Sequence, residues 1–197
     1  MTRLFALLTT LIALMAFAPA AQAQVDDPDL LYGGSPSGRS YQFLGGGGYA
    51  GAVTRTTVSV AGNYQPGSIL VDTAERRLYL MLGNGRALRY GIGVGRDGFR
   101  WAGTHRVTAK KEWPSWTPPA QMLRRRPDLP RFMKGGEDNP LGARALYLGS
   151  TLYRIHGSNE PETIGQAVSS GCFRMTNADV IDLYNRVSVG ATVVVRN

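Results

Sequence analysis

Thiols are nearly absent from this chain: in 197 residues cysteine occurs once, at Cys172. A single cysteine cannot close an internal disulfide, so the fold does not rest on a disulfide framework. Histidine is almost as scarce, with only His105 and His156. No cluster of His, Cys, Asp and Glu has metal-ligand spacing, so no metal is expected. Acids are in deficit, 14 against 22 Lys and Arg, giving a formal charge of +8. Uninterrupted apolar sequence is also limited. The run Leu4 to Phe17 is shorter than the roughly 20 residues that a membrane-spanning helix needs.

That run has the character of an export signal instead. Arg3 supplies a positive start, Leu4 to Phe17 an apolar middle, and Ala21-Gln22-Ala23 a small-residue cleavage site. Residues 1–23 are therefore expected to be a signal peptide, and the mature chain to be periplasmic with no stable membrane span after cleavage. Outside the cytoplasm, the positive charge left after cleavage does not point to nucleic acid. It suits an anionic envelope surface or simple solubility.

Glycine is abundant, with 25 residues, many of them before Gly67. Residues 24–65 carry Gly33-Gly34-Ser35-Pro36-Ser37-Gly38 and the run Gly45 to Gly48, and read as a flexible linker. From Pro66 the pattern changes. Short apolar runs predict strands at 68–71, 77–82, 87–94, 106–110, 145–148, 152–155 and 192–195, with a hairpin at Gly83-Asn84-Gly85. One helix is predicted over 178–187, capped by Asn177, with Val180, Ile181, Leu183 and Val187 on or near one face. Such a chain is expected to form a mainly β sandwich or partly open barrel over residues 66–197, with one short helix after the cysteine. The segment from Trp113 to Gly142 breaks this pattern with prolines and the run Arg124-Arg125-Arg126. A long irregular insert of this kind suits a substrate-binding loop. Trp113, Trp116, Arg124, Arg125 and Arg126 are its candidate contacts.

A lone thiol in an oxidising compartment is either a small buried hydrophobe or a reactive group. The residues around it favour reactivity. His156 ends a predicted strand in Tyr153-Arg154-Ile155-His156-Gly157-Ser158, and Cys172 follows small residues in Ser169-Ser170-Gly171-Cys172-Phe173-Arg174-Met175. A thiol needs a base, and a neighbouring imidazolium can lower its pKa by several units. The backbone N–H groups of Gly171 and Cys172 are candidate oxyanion donors. No acid lies near His156 in sequence, so a backbone carbonyl such as that of Gly157 is the expected orienting group. His105, in Gly103-Thr104-His105-Arg106-Val107, reads as a strand or loop residue.

The pattern His156-Gly157-Ser158, a gap opening with Ile164-Gly165, and Ser169-x-Gly171-Cys172-x-Arg174-Met175 resembles the signature of the L,D-transpeptidase family with its YkuD-type catalytic domain. The resemblance runs from about Pro66 to Val195. Trp113-Pro114 and Asn139-Pro140-Leu141-Gly142 resemble its periplasmic branch. Trp101-Ala102-Gly103-Thr104 departs from it, standing where the family often has Thr-Pro-x-Gly. The resemblance implies attack by Cys172 on peptidoglycan tetrapeptide stems, with His156 as base and release of D-alanine. The acceptor amine would come from a second stem or an envelope protein, and the activity would serve cell-wall biogenesis and cell shape. It implies no metal or organic cofactor. Gly171, Ser170, Gly157 and Arg174 match motif positions that support the site, and Arg174 either pairs with a substrate carboxylate or braces the loop. Of three other readings, a papain-like peptidase would place cysteine before histidine, and a non-catalytic peptidoglycan-binding module would be expected to lose Cys172 or His156; an L,D-carboxypeptidase or other hydrolase on the same scaffold stays open.

Overall fold

The computed structural model describes residues 54–197, and the expected signal peptide and most of the glycine-rich segment lie outside them. The chain is mainly β. Nine strands form one continuous hydrogen-bonded series, and two more form a small separate pair.

The first half is built from hairpins. β2 (Ile69–Asp72), β3 (Arg77–Gly83) and β4 (Arg86–Gly91) pair antiparallel in succession. Asn84 and Gly85 both adopt positive φ in the turn between β3 and β4, which is the conformation a tight hairpin requires. β1 (Thr56–Ser59) adds to the outer edge of β4. This corrects the last part of the linker expected over 24–65, of which residues 24–53 lie outside the described residues. Residues 56–59 are a strand, and Val58, Val60 and Tyr64 cover a second small core of Leu70, Met81 and Ala87 on the back of the sheet.

β6 (Gly103–Glu112) joins the two halves. Its first residues pair with β11 (Thr192–Arg196), and its later residues pair with β7 (Arg144–Leu148) across a register shift between Val107 and Ala109. β11 lies parallel to β2 on its other side. Beyond β7 come β8 (Arg154–His156) and then β10 (Phe173–Arg174), the latter parallel to β8. The expected strand over 87–94 is interrupted. After β4 the chain turns so that Gly93 bridges to Arg174, and β5 (Val94–Gly95) pairs with β9 (Ala167–Ser169).

The main core collects the inward residues of both halves, including Ile69, Leu78, Tyr90, Leu146, Ile155 and Phe173. One face of α2 (Asn177–Arg186) closes it with Val180 and Leu183. Thr176 caps this helix rather than Asn177, its hydroxyl accepting from the Asp179 amide at 3.1 Å. Asn177 instead ties the helix start to the loop before β7, its Oδ1 accepting from the Ala143 amide at 2.9 Å. The insert contains the short helix α1 (Ala120–Arg125) and a bridge between Trp116 and Met133. Among the described residues no helix is long and apolar enough to cross a membrane, which says nothing of strands.

Candidate active site

A cleft of about 380 Å³ opens beside β8 and β10, and Cys172 and His156 both line it. Side chains alternate along a strand, so Arg154 and His156 of β8 share a face while Ile155 points into the core, fully buried. β10 runs parallel to β8 with Phe173 opposite Ile155 and Arg174 opposite His156. Cys172, two residues before Arg174, therefore lies on the face that carries the histidine.

Small residues and side-chain bonds shape the approach to Cys172. Ser169 Oγ donates to the Cys172 carbonyl at 2.6 Å and accepts from the Gly171 amide at 3.2 Å. Gly171 has φ 104°, and a Cβ there would lie 2.7 Å from the Tyr153 ring. Its carbonyl accepts from Trp101 Nε1 at 2.8 Å, and Trp101 stacks on Tyr153 with ring centroids 4.4 Å apart. The Gly171 amide, one of the two expected oxyanion donors, is engaged by Ser169 Oγ. The Cys172 amide, the other expected donor, enters no backbone hydrogen bond among the described residues. Ser170 lines the cleft, and its hydroxyl oxygen is buried without a partner among the described residues.

His156 is 5% exposed. Its Nδ1 lies 2.6 Å from the Gly157 carbonyl, which assigns the proton to Nδ1 and leaves Nε2 as the basic nitrogen. The carbonyl expected to orient the ring does so. Gly157 itself must be glycine, because a Cβ would overlap Asn177 Oδ1. Burial, and then the positive charge of Arg174, push the imidazole pKa down to about 3; the Gly157 hydrogen bond opposes them. Burial pushes the Cys172 thiol up, opposed by the charge and hydrogen bonds of Arg154. At neutral pH the pair therefore rests as thiol and neutral imidazole. A ring so buried and flanked by arginine disfavours its charged form, which suits His156 to the role of base.

Arg174 is 9% exposed and its Nη1 donates to Glu160 Oε2 at 2.9 Å, so it braces the loop carrying Glu160 rather than standing free for a ligand. The insert is divided. Trp116 and Arg125 line the cleft, together with Pro119 and Met122. Trp113 is 43% exposed and lies outside the lining, Arg124 faces solvent, and Arg126 pairs with Asp128 at 2.6 Å. His105 lies in β6, edge-on to Trp101 at 5.2 Å, away from the cleft lining. Among the lining residues that had no place among the sequence candidates are Arg154, Tyr153 and Phe99. For Arg154 the available signal was its spacing of two from His156 on a predicted strand.

Fold and site together define a β-sheet domain that presents a buried histidine, at the end of one strand, and a cysteine, just before the parallel neighbouring strand, to one cleft. The chain belongs to the YkuD family, the L,D-transpeptidase catalytic domain, whose model matches residues 66–195. It is 40% identical over 134 residues to the "Probable L,D-transpeptidase ErfK/SrfK" of Escherichia coli K12, covering 64% of this chain and 42% of that one. The chain thus spans less than half of that relative's length. A Brucella melitensis crystal structure described as a "Probable carnitine operon oxidoreductase caia" is 44% identical, with TM-score 0.50 over 71% of this chain and 91% of that one. An L,D-transpeptidase from Mycobacterium smegmatis shares the fold at 17% identity, with TM-score 0.53 over 66% of this chain and 58% of that one.

Proposed function

We propose that this chain is a periplasmic L,D-transpeptidase acting on peptidoglycan tetrapeptide stems, with residues 66–197 as catalytic domain and 1–23 as signal peptide. The observation that carries the reading is that Cys172, immediately before β10, and His156, on the parallel neighbour β8, both line one cleft, with Nδ1 of the histidine held by Gly157. Family membership supports the reaction class.

In this reading His156 Nε2 takes the Sγ proton as the sulfur attacks the carbonyl between diaminopimelate and terminal D-alanine. The negative oxygen of the tetrahedral intermediate is placed to accept from the Cys172 amide. The intermediate collapses, the C–N bond breaks, and His156 returns its proton to the departing D-alanine amine. A thioester remains on Cys172. An acceptor amine then attacks it, His156 takes the amine proton, and the new amide leaves as the thiol is re-formed. The acceptor is a second diaminopimelate, giving a 3-3 cross-link, or an amine of an envelope protein. The histidine needs no proton before the first step, since the resting pair is neutral.

The test is incubation of the protein with tetrapeptide-bearing muropeptides and identification of products by mass. Cross-linked dimers and free D-alanine are expected, and both should vanish in Cys172→Ala. Shortened monomers without dimers would make the protein a carboxypeptidase instead. Dimers formed by Cys172→Ala would end the cysteine mechanism.

A further inference from the structure

The alternation along β8 puts Arg154 on the same face as His156. The parallel register pairs His156 with Arg174 and Ile155 with Phe173; carried one residue further, it sets Cys172 beside Arg154. The cleft wall is then a two-by-two patch, with Cys172 next to Arg154 and Arg174 next to His156. All four line the cleft.

The two arginines are not equivalent. Arg174 is neutralised by Glu160, and the two side chains are only 11% and 15% exposed. Arg154 forms no salt bridge with a carboxylate among the described residues. Its Nη1 donates to the Leu152 carbonyl at 2.9 Å, its guanidinium lies 5.0 Å from the Tyr147 ring, and its Nε is buried without an acceptor. The Cys172 thiol is directed at the same Leu152 carbonyl, at 3.7 Å. Thiol and guanidinium therefore share one acceptor and are close neighbours.

The proton transfer is helped by such a neighbour. Cys172 is half-buried at the cleft, and a thiol there gives up its proton more readily when a fixed positive charge faces the sulfur anion. Once the proton is gone, the Leu152 carbonyl has no donor from sulfur and faces a negative charge. Arg154 offers both a fixed positive charge and an unused N–H donor at that place. We propose that Arg154 is the cation that holds the Cys172 thiolate as its proton passes to His156 Nε2. The proposal rests on the reading of Cys172 as nucleophile, and it assigns to Arg154 the role often given to an imidazolium in cysteine–histidine pairs. Atoms and charge balance without a further reactant: S–H breaks, N–H forms on Nε2, and the anion stays on sulfur beside the guanidinium.

Alkylation by iodoacetamide tests this without any peptidoglycan substrate, so its failure is separate from a failure to transpeptidate. The pH dependence of the Cys172 alkylation rate would be measured on the whole chain, native and with Arg154→Gln, Arg154→Met, Arg154→Lys and Arg124→Ala. A thermal melt selects the Gln or the Met variant as the folded neutral replacement; Met keeps the aliphatic length over Tyr147. An opposite charge at this range shifts a pKa by about one unit or more. The neutral variant should therefore move the profile to higher pH by at least about one unit, lowering the rate below the midpoint roughly tenfold. Arg154→Lys should remain closer to native than to the neutral variant. Arg124→Ala, which removes the same charge from a solvent-facing site, should superimpose on native. A neutral variant that superimposes on native, or a Lys variant that behaves like it, overturns the proposal.

Discussion

Burial of His156 makes a prediction about acid stability that can be worked through. The imidazole titrates near 6.5 in the unfolded chain and at about 3 in the fold, because burial and Arg174 disfavour its charged form. Between those values the unfolded chain binds more protons than the folded one. Stability from this group is therefore complete above 6.5 and is lost progressively as pH falls towards 3. Going from about pH 7 to about pH 4.5 should cost on the order of 2–3 kcal/mol through this residue alone. In urea, with slopes of about 1–3 kcal/mol per molar, that is a midpoint shift on the order of 1–2 M. Asp128 and Asp182, both held below the usual carboxylate range, and Asp179, held above it, also titrate in acid. Their contribution cancels if native protein is compared with His156→Gln, which is neutral throughout and keeps a donor for the Gly157 carbonyl. The native protein should lose on the order of 2–3 kcal/mol more than the variant between the two pH values. Equal losses would mean that the folded ring titrates as it does in the unfolded chain and that burial does not depress it, and a smaller loss in the native protein would mean that the ring is charged in the fold.

Other substitutions test the supports. Gly157→Ala forces a methyl into Asn177 Oδ1 and should destabilise by about 3 kcal/mol, read from a thermal melt, with loss of activity in whatever fraction still folds. Of the three consecutive arginines, only Arg125 lines the cleft. Arg125→Ala should raise KM for a defined tetrapeptide with kcat little changed, whereas Arg124→Ala and Arg126→Ala should leave steady-state constants at native values. A chain begun at Pro66 uncovers Leu70, Met81 and Ala87 by losing Val58, Val60 and Tyr64. It should be less stable than one begun at Thr54 by on the order of 3 kcal/mol, measured by urea unfolding.

The long strands were legible because their residues announce them. Ile69-Leu70-Val71 and Val193-Val194-Val195 are apolar and, Leu70 apart, β-branched, and they form adjacent parallel strands. β1 was not legible: Thr56-Thr57-Val58-Ser59 is mostly polar and follows a glycine-rich stretch, and only its partner β4 identifies it. β9 and β10 have three and two residues, too few for any periodicity to show. The helix was placed within a residue, yet its cap was misassigned, since Thr176 and Asn177 are both good cap residues and only the Ala143 amide decides between them. Cys172 and His156 stood out through their motif. Arg154 did not, because its nearness to the thiol depends on the parallel register of two very short strands. The insert's arginines looked alike in sequence and separate only in space: a short helix turns Arg125 to the cleft and leaves Arg124 in water.

The position of β11 bears on how the molecule comes into being. It is the last strand in chain order among the described elements, yet it lies between β2 and β6, near the middle of the series. Arg196 bonds to Asp72 across 124 residues of sequence. A ribosome must therefore finish nearly the whole domain before its two halves can be joined. Contacts this distant along the chain close slowly, so the nascent polypeptide has a long interval without a completed sheet. By the same logic a stop codon placed just before Thr192 leaves β2 and β6 without the strand between them. The product should be an aggregating or degraded chain rather than a slightly shorter enzyme.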